Sequence, residues 1–140
     1  MPKICKKGKI VVLLNGRYAG RKAIIVNVKE EGTKDQKFAH ALVAGIDRYP
    51  RKVTRAMKAD RIKKRTQIKP FVKTVNLNHI MPTRYQLTDM DLAKTISEAA
   101  EGERVKSVKK VFEDRYRKQA ESKPGKNKTG AQYFFKKLRF

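Results

Sequence analysis

Between Arg48 and Lys73 the chain carries eleven cations, Arg48, Arg51, Lys52, Arg55, Lys58, Arg61, Lys63, Lys64, Arg65, Lys69 and Lys73, against one acid, Asp60. The chemistry open to such a run is anion binding. Like charges packed this densely repel one another, and they settle where phosphates neutralise them and release the counterions condensed on a polyanion. An ordinary solvated face intersperses both signs. Nucleic acid is therefore the first candidate partner. Arg48, Arg51, Arg55, Arg61 and Arg65 are the better individual contacts, because a guanidinium grips a phosphate with two parallel hydrogen bonds or stacks on a base. The lysines add steering.

A second basic stretch lies toward the C-terminus. From Lys123 onward Lys123, Lys126, Lys128, Lys136, Lys137 and Arg139 meet no acid, and Tyr133, Phe134, Phe135 and Phe140 supply rings that can stack on bases or anchor in a groove. Phe135, Leu138 and Phe140 are expected to pack while Lys136, Lys137 and Arg139 reach phosphates. The whole chain agrees, with a net charge of +23 over 140 residues, far beyond what solubility requires.

Other chemistries lack their residues. Cys5 is the only cysteine, which rules out an internal disulfide, falls short of a zinc cluster and points to a reducing compartment. Its neighbours Lys6 and Lys7 favour a thiolate, yet it reads as an incidental small residue. His40 and His79 have no cysteine or second histidine at ligand spacing and read as packed or surface residues, so no metal is expected. No Ser, His and Asp arrangement, P-loop or paired-carboxylate site stands out, and neither enzyme activity, nor a cofactor, nor a small-molecule substrate is expected. The longest apolar runs, such as Ile10 to Leu14, fall far short of the ~20 residues of a membrane span. The first residues carry charge with no apolar run behind it long enough for a signal peptide. A cytosolic protein with no membrane partner is expected, since the one clear amphipathic helix carries acids where anionic lipids would want bases.

The elements that must position these cations begin with two β-branched runs, Ile10 to Leu14 and Ala23 to Val26, flanking the turn Asn15-Gly16-Arg17-Tyr18-Ala19-Gly20-Arg21. Gly20 stands where the turn needs a positive φ or a close backbone approach, and Gly16 plays a similar part. Arg17, Tyr18, Arg21 and Lys22 stand at the turn's rim, where they either meet a phosphate backbone or merely close a hairpin. After a loop at Gly32-Thr33-Lys34-Asp35, a third strand is expected over His40 to Ile46, ended by Pro50. Three short strands so close together suggest a small, strongly curved barrel. In the basic segment Val53, Ala56, Met57, Ile62 and Ile68 can lie along one side of a helix or of irregular coil. Phe71 to Ile80 alternates with period two, with Phe71, Val75 and Leu77 facing a core, and reads as a strand that Pro82 terminates.

After Thr88 the acids gather, eight of the thirteen lying between Asp89 and Glu121. Val105, Val108, Phe112 and Tyr116 follow at steps of three, four and four, which sets them on one helix face. That helix is expected to dock, not to bind phosphate, and to stop at Pro124-Gly125.

The stretch from Gly8 to Val26 resembles the KOW motif, a strand, turn and strand unit of small SH3-like barrels in ribosomal and transcription elongation proteins. The segments His40 to Thr54, Asn78-His79-Ile80-Met81-Pro82-Thr83-Arg84-Tyr85 and Phe134 to Phe140 resemble one family, the eukaryotic large-subunit ribosomal protein twenty-seven family. Two stretches depart from its pattern: Gln86 to Val111 is more acidic, and Thr129-Gly130-Ala131-Gln132 stands as an insertion. The resemblance implies a mainly β protein with α: an N-terminal SH3-like barrel with an inserted basic segment over 1–86, a helical region over 87–122 and a basic aromatic tail over 123–140. It implies a structural role in the cytosolic large ribosomal subunit, in contact with ribosomal RNA and neighbouring ribosomal proteins, with nuclear and nucleolar passage during assembly. Lys9, at the start of the motif, and Arg84 join the turn residues, the cations from Arg48 to Lys69, and Lys126, Lys128, Lys136, Lys137 and Arg139 as candidate RNA contacts. The basic segment and the tail are expected to thread between RNA helices and to order there.

Overall fold

A computed structural model describes residues 3–88, 90–121 and 129–139. Strands β1 (Lys9–Leu13), β2 (Lys22–Lys29) and β3 (His40–Arg48) are followed by helix α1 (Ala59–Arg65), strands β4 (Lys69–Asn76) and β5 (Ile80–Gln86), and helices α2 (Leu92–Glu98), α3 (Arg104–Glu121) and α4 (Thr129–Phe135). The strands form one antiparallel sheet in the order β4-β3-β2-β1-β5.

The edges β4 and β5 are joined only by a 3-10 turn at Leu77–His79. In a flat sheet they would lie roughly 19 Å apart at ~4.8 Å per strand, whereas three residues of 3-10 turn cover about 6 Å. The sheet must therefore curl. The turn is tied to the rest of the curl, because the Leu77 amide donates to the Ala39 carbonyl at 3.2 Å and the Leu14 amide donates to the His79 carbonyl at 2.9 Å. Register shifts between Lys9 and Val11, Ile25 and Asn27, and Ile46 and Arg48 add the local bends that curvature needs. This is the arrangement of a small SH3-like barrel.

The sheet is buried on both faces. Val11, Leu13, Ala23, Ile25, Val43 and Phe71 fill the interior of the curl. The alternate residues Ile10, Ile24, Val26, Ala44 and Ile46 meet Leu92, Ile96, Val108, Phe112 and Phe134 from the helices. That is why β1 and β2 read as unbroken apolar runs instead of alternating ones. Pro82 does not terminate the strand that precedes it. The chain turns at Leu77–His79, and Pro82 lies inside β5, opposite Val11. An edge strand tolerates a residue with no amide to donate.

On α3, Val108 and Phe112 are fully buried, and the Ile68 amide donates to Glu113 Oε1 at 3.3 Å, tying the helix to the approach of β4. Val105 departs from the expected stripe. It is 44% exposed. Pro124-Gly125 lies outside the described residues.

Candidate nucleic-acid interface

The turn between β1 and β2 holds Gly16 at φ +88° and Gly20 at φ +79°, a region open to glycine at little cost. The turn uses its own donors: the Gly20 amide bonds the Leu13 carbonyl at 2.7 Å and the Ala19 amide bonds the Gly16 carbonyl at 3.2 Å. Arg17 is exposed, with Nη2 donating to the Tyr18 hydroxyl at 2.7 Å. The Tyr18 ring lies flat on Phe71 of β4, 4.0 Å between centroids and 3° from parallel. One of its faces therefore belongs to the barrel. Arg21 Nε donates to the Asp47 carbonyl at 3.0 Å and sits 3.6 Å from its carboxylate, while Lys69 Nζ approaches the other carboxylate oxygen at 3.5 Å. Asp47 thus holds two like charges beside each other, and Arg48, opposite Lys69 in the register, adds a third. Lys9 is half-buried at the start of β1, opposite Gln86.

The basic segment is neither all helix nor all coil. The chain from Tyr49 to Lys58 carries no helix, and it is closed onto α1 by the Arg51 amide on the Arg65 carbonyl and by Arg65 Nε on the Lys52 carbonyl, both at 2.8 Å. Helix α1 has Asp60 in its first turn and Lys63, Lys64 and Arg65 in its last, signs that suit the helix dipole. Arg51, Lys52, Arg55, Lys58, Arg61, Lys63 and Lys64 are all exposed. Ile68 anchors the segment's end at 0% exposure, whereas Val53 and Ala56 face solvent and not the apolar side expected of them. The Arg51 and Arg65 bonds tie the irregular stretch to α1 within the chain itself.

Lys22 does not stand at the rim. It is 2% exposed, at the start of β2, with Nζ donating to the carbonyls of Tyr133 at 2.6 Å and Lys136 at 2.7 Å and lying 3.7 Å from the centre of the Tyr133 ring. Burial pushes its pKa down from 10.5 to about 8, with the charge of Lys136 adding to the fall. The ammonium bonds two carbonyls at the end of α4, where a helix runs out of amide donors, and the Tyr133 carbonyl also accepts the Lys136 amide at 3.4 Å. Its work here is to dock the C-terminal residues, through the carbonyls of Tyr133 and Lys136, and not to stand exposed at the turn.

Those residues form a helix packed on the body. Phe134 is fully buried and meets Phe112 edge to face at 5.3 Å, Phe135 meets Tyr116 at 5.3 Å, and Tyr133 stacks on Tyr85 at 4.3 Å. Thr129-Gly130-Ala131-Gln132 opens α4, and Gly130 is needed there, because a Cβ would sit 2.5 Å from the Gln86 carbonyl oxygen. Lys136, Lys137 and Arg139 remain exposed. Arg84 is exposed on β5 with Nη2 donating to the Tyr85 hydroxyl at 3.1 Å. Lys123, Lys126, Lys128 and Phe140 lie outside the described residues.

The docking of α4 brings Arg51 and Lys52 to one side of a groove of about 1060 Å³ and Lys136, Lys137 and Arg139 to the other, over a floor that includes Tyr116, Tyr133 and Phe135. Sequence reasoning also passed over α3. Read for its acids, the helix looks neutral, but Arg104–Glu121 holds seven cations against three acids, and Lys106, Lys110, Arg117 and Lys118 are exposed. Counting both signs on the solvent face would have found them.

Among the described residues no helix is long and apolar enough to cross a membrane, and no group of three or more His, Cys, Asp or Glu side chains is placed to hold a metal ion. Fold and surface together define a basic SH3-like barrel protein whose exposed side chains are dominated by lysine and arginine. The chain belongs to the ribosomal L27e protein family, whose model matches residues 10–140. It is 48% identical over 146 residues, covering 100% of both chains, to the large ribosomal subunit protein eL27 of Tetrahymena thermophila.

Proposed function

We propose that this protein is a structural constituent of the large ribosomal subunit, where it binds and stabilises folded ribosomal RNA and so supports translation. The observation that carries this reading is 48% identity across the full length of a relative named for that subunit. The mechanism is charge neutralisation and clamping. A-form RNA hides its base edges in a deep, narrow groove, so a protein that holds folded RNA works through phosphates, hydroxyls and the shallow groove. The barrel over 1–86 supplies a rigid platform, and the helical part over 87–122 and the tail over 123–140 are built onto it.

The contacts we assign are Arg17, Arg21 and the edge of Tyr18 at the turn, Arg48 and Lys69 beside them, and the exposed cations from Arg51 to Lys64. Arg65, bonded to Lys52, contributes charge more than contact. Lys9, Arg84, Lys126, Lys128, Lys136, Lys137 and Arg139 complete the set. Neighbouring large-subunit proteins are further partners, and the protein works in cytoplasmic ribosomes after passing through the nucleus and nucleolus for assembly. It has no catalytic step, cofactor or small-molecule substrate of its own.

Sedimentation of lysate through a sucrose gradient that keeps the subunits apart, before and after a high-salt wash, tests the assignment. Stoichiometric retention in the large subunit is expected. Release by salt, or recovery chiefly in light fractions, would overturn it.

A further inference from the structure

We propose that the groove between the basic segment and the chain's C-terminal residues is a binding site for an unpaired nucleotide of single-stranded RNA, with Tyr116 as the ring on which its base stacks. The proposal rests on the reading of the protein as RNA-binding and narrows it to one site and one form of RNA.

The two walls are drawn from opposite ends of the basic sequence. Arg51 and Lys52 stand on one side, Lys136, Lys137 and Arg139 on the other; all five are exposed, and among the described residues no acid lines the groove. A strand passing between them would place phosphates against both walls. Between the walls Tyr116, Tyr133, Phe135 and Leu138 make most of the floor apolar and aromatic, with Lys22 and Gln132 beside them. Phosphate binding alone has no use for such a floor, whereas a base does, because every base has a flat face that an aromatic ring can stack on.

The rings of the floor are not equivalent. Tyr133 is already engaged, stacked on Tyr85 and lying under the Lys22 ammonium. Phe135 is 4% exposed. Tyr116 is half-buried, and its ring contact among the described residues is the edge-type meeting with Phe135 at 65°. It is the ring with a surface left for a base. A volume of about 1060 Å³ is at the upper end of pockets that enclose small molecules, room for a nucleotide and its flanking phosphates. A duplex has its bases already stacked on one another, and sequence-tolerant stacking on protein rings belongs to loops, bulges and single strands.

The test uses the full-length protein and two labelled RNAs of equal phosphate number, a single-stranded oligoadenylate and a duplex hairpin, with affinities read by fluorescence anisotropy across a salt series. Tyr116→Leu is expected to weaken oligoadenylate binding roughly ten-fold with an unchanged salt slope, and to leave the hairpin affinity alone. Tyr116→Phe is expected to bind as the wild type does. Equal weakening for both RNAs, or for neither, overturns the groove site while leaving RNA binding elsewhere intact; a wild-type protein that binds neither RNA overturns the wider reading with it. Should Tyr116→Leu fail to fold, photo-crosslinking of the wild type to a single strand containing 4-thiouridine decides. Adducts on the peptide bearing Tyr116 support the site, and adducts confined to other peptides overturn it. Displacement of the oligoadenylate by a polyglutamate peptide that binds Tyr116→Leu as well as the wild type would assign the groove to an acidic segment and overturn the proposal.

Discussion

Lys22→Met removes the one lysine buried among the described residues while keeping an unbranched side chain of similar length, and its effect should depend on pH in a way that the structure fixes. In the folded chain burial holds the Lys22 pKa at about 8, against 10.5 for an ordinary lysine. Between those values the unfolded chain binds a proton there and the folded chain does not, so folding becomes more favourable as pH rises. The gain is complete above about 10.5 and is lost as pH falls through about 8. The interval is worth about 3 kcal/mol at most. At pH 7 the ammonium is retained, and its hydrogen bonds to Tyr133 and Lys136 offset part of the cost of burying it. Urea unfolding of wild type and Lys22→Met at intervals from pH 7 to 11 reads the difference directly. The wild type should gain on the variant as pH rises through this window, and the variant should lack that rise even though it takes the Lys22 donor from two carbonyls at the end of α4. Parallel pH profiles for the two proteins would refute the reasoning, because they would mean that Lys22 has an ordinary environment and does not hold α4 in place.

Tyr49 gives the opposite slope: burial raises its pKa to about 12, so stability present below pH 10 should be lost as pH rises toward 12, and Tyr49→Phe should remove that loss in the same unfolding series. Phe112→Ala, at a fully buried ring facing Phe134, should cost about 3–5 kcal/mol in urea unfolding. Gly130→Ala should destabilise the docking of α4 by about 1–3 kcal/mol, because its Cβ would press on the Gln86 carbonyl; limited proteolysis near the C-terminus would detect the loosened helix. Replacing Arg55 and Lys58 by Gln should lower the slope of log affinity against log salt for structured ribosomal RNA by about 0.7–0.9 for each phosphate that the variant no longer neutralises.

Much of the barrel was legible because its signals are local. Runs at Ile10 to Leu14, Ala23 to Val26 and His40 to Ile46 became β1, β2 and β3, and the glycines of the first turn sit at positive φ. Pro82 misled because a proline's meaning depends on whether its strand is central or at an edge, and strand order is not written in local sequence. Val105 shared the periodicity of Val108 and Phe112, but periodicity says which residues face one way and not how far the covering element extends. The basic aromatic end was legible as rings and cations together; that it would form a helix under which Lys22 is buried was not.

By itself the sequence determined the charge, and with it the class of partner: eleven cations against one acid express a net potential that no arrangement of the chain can cancel. Only the tertiary structure decided which cations are free to act. Lys22 and Arg21 are adjacent in the chain, yet one is sealed beneath α4 and the other shares a carboxylate with Lys69 near the surface. The reason is physical. Charge is a property of composition, but its availability depends on burial and on neighbours drawn from distant parts of the chain, as the meeting of Arg51 and Lys52 with Lys136 and Lys137 across one groove illustrates.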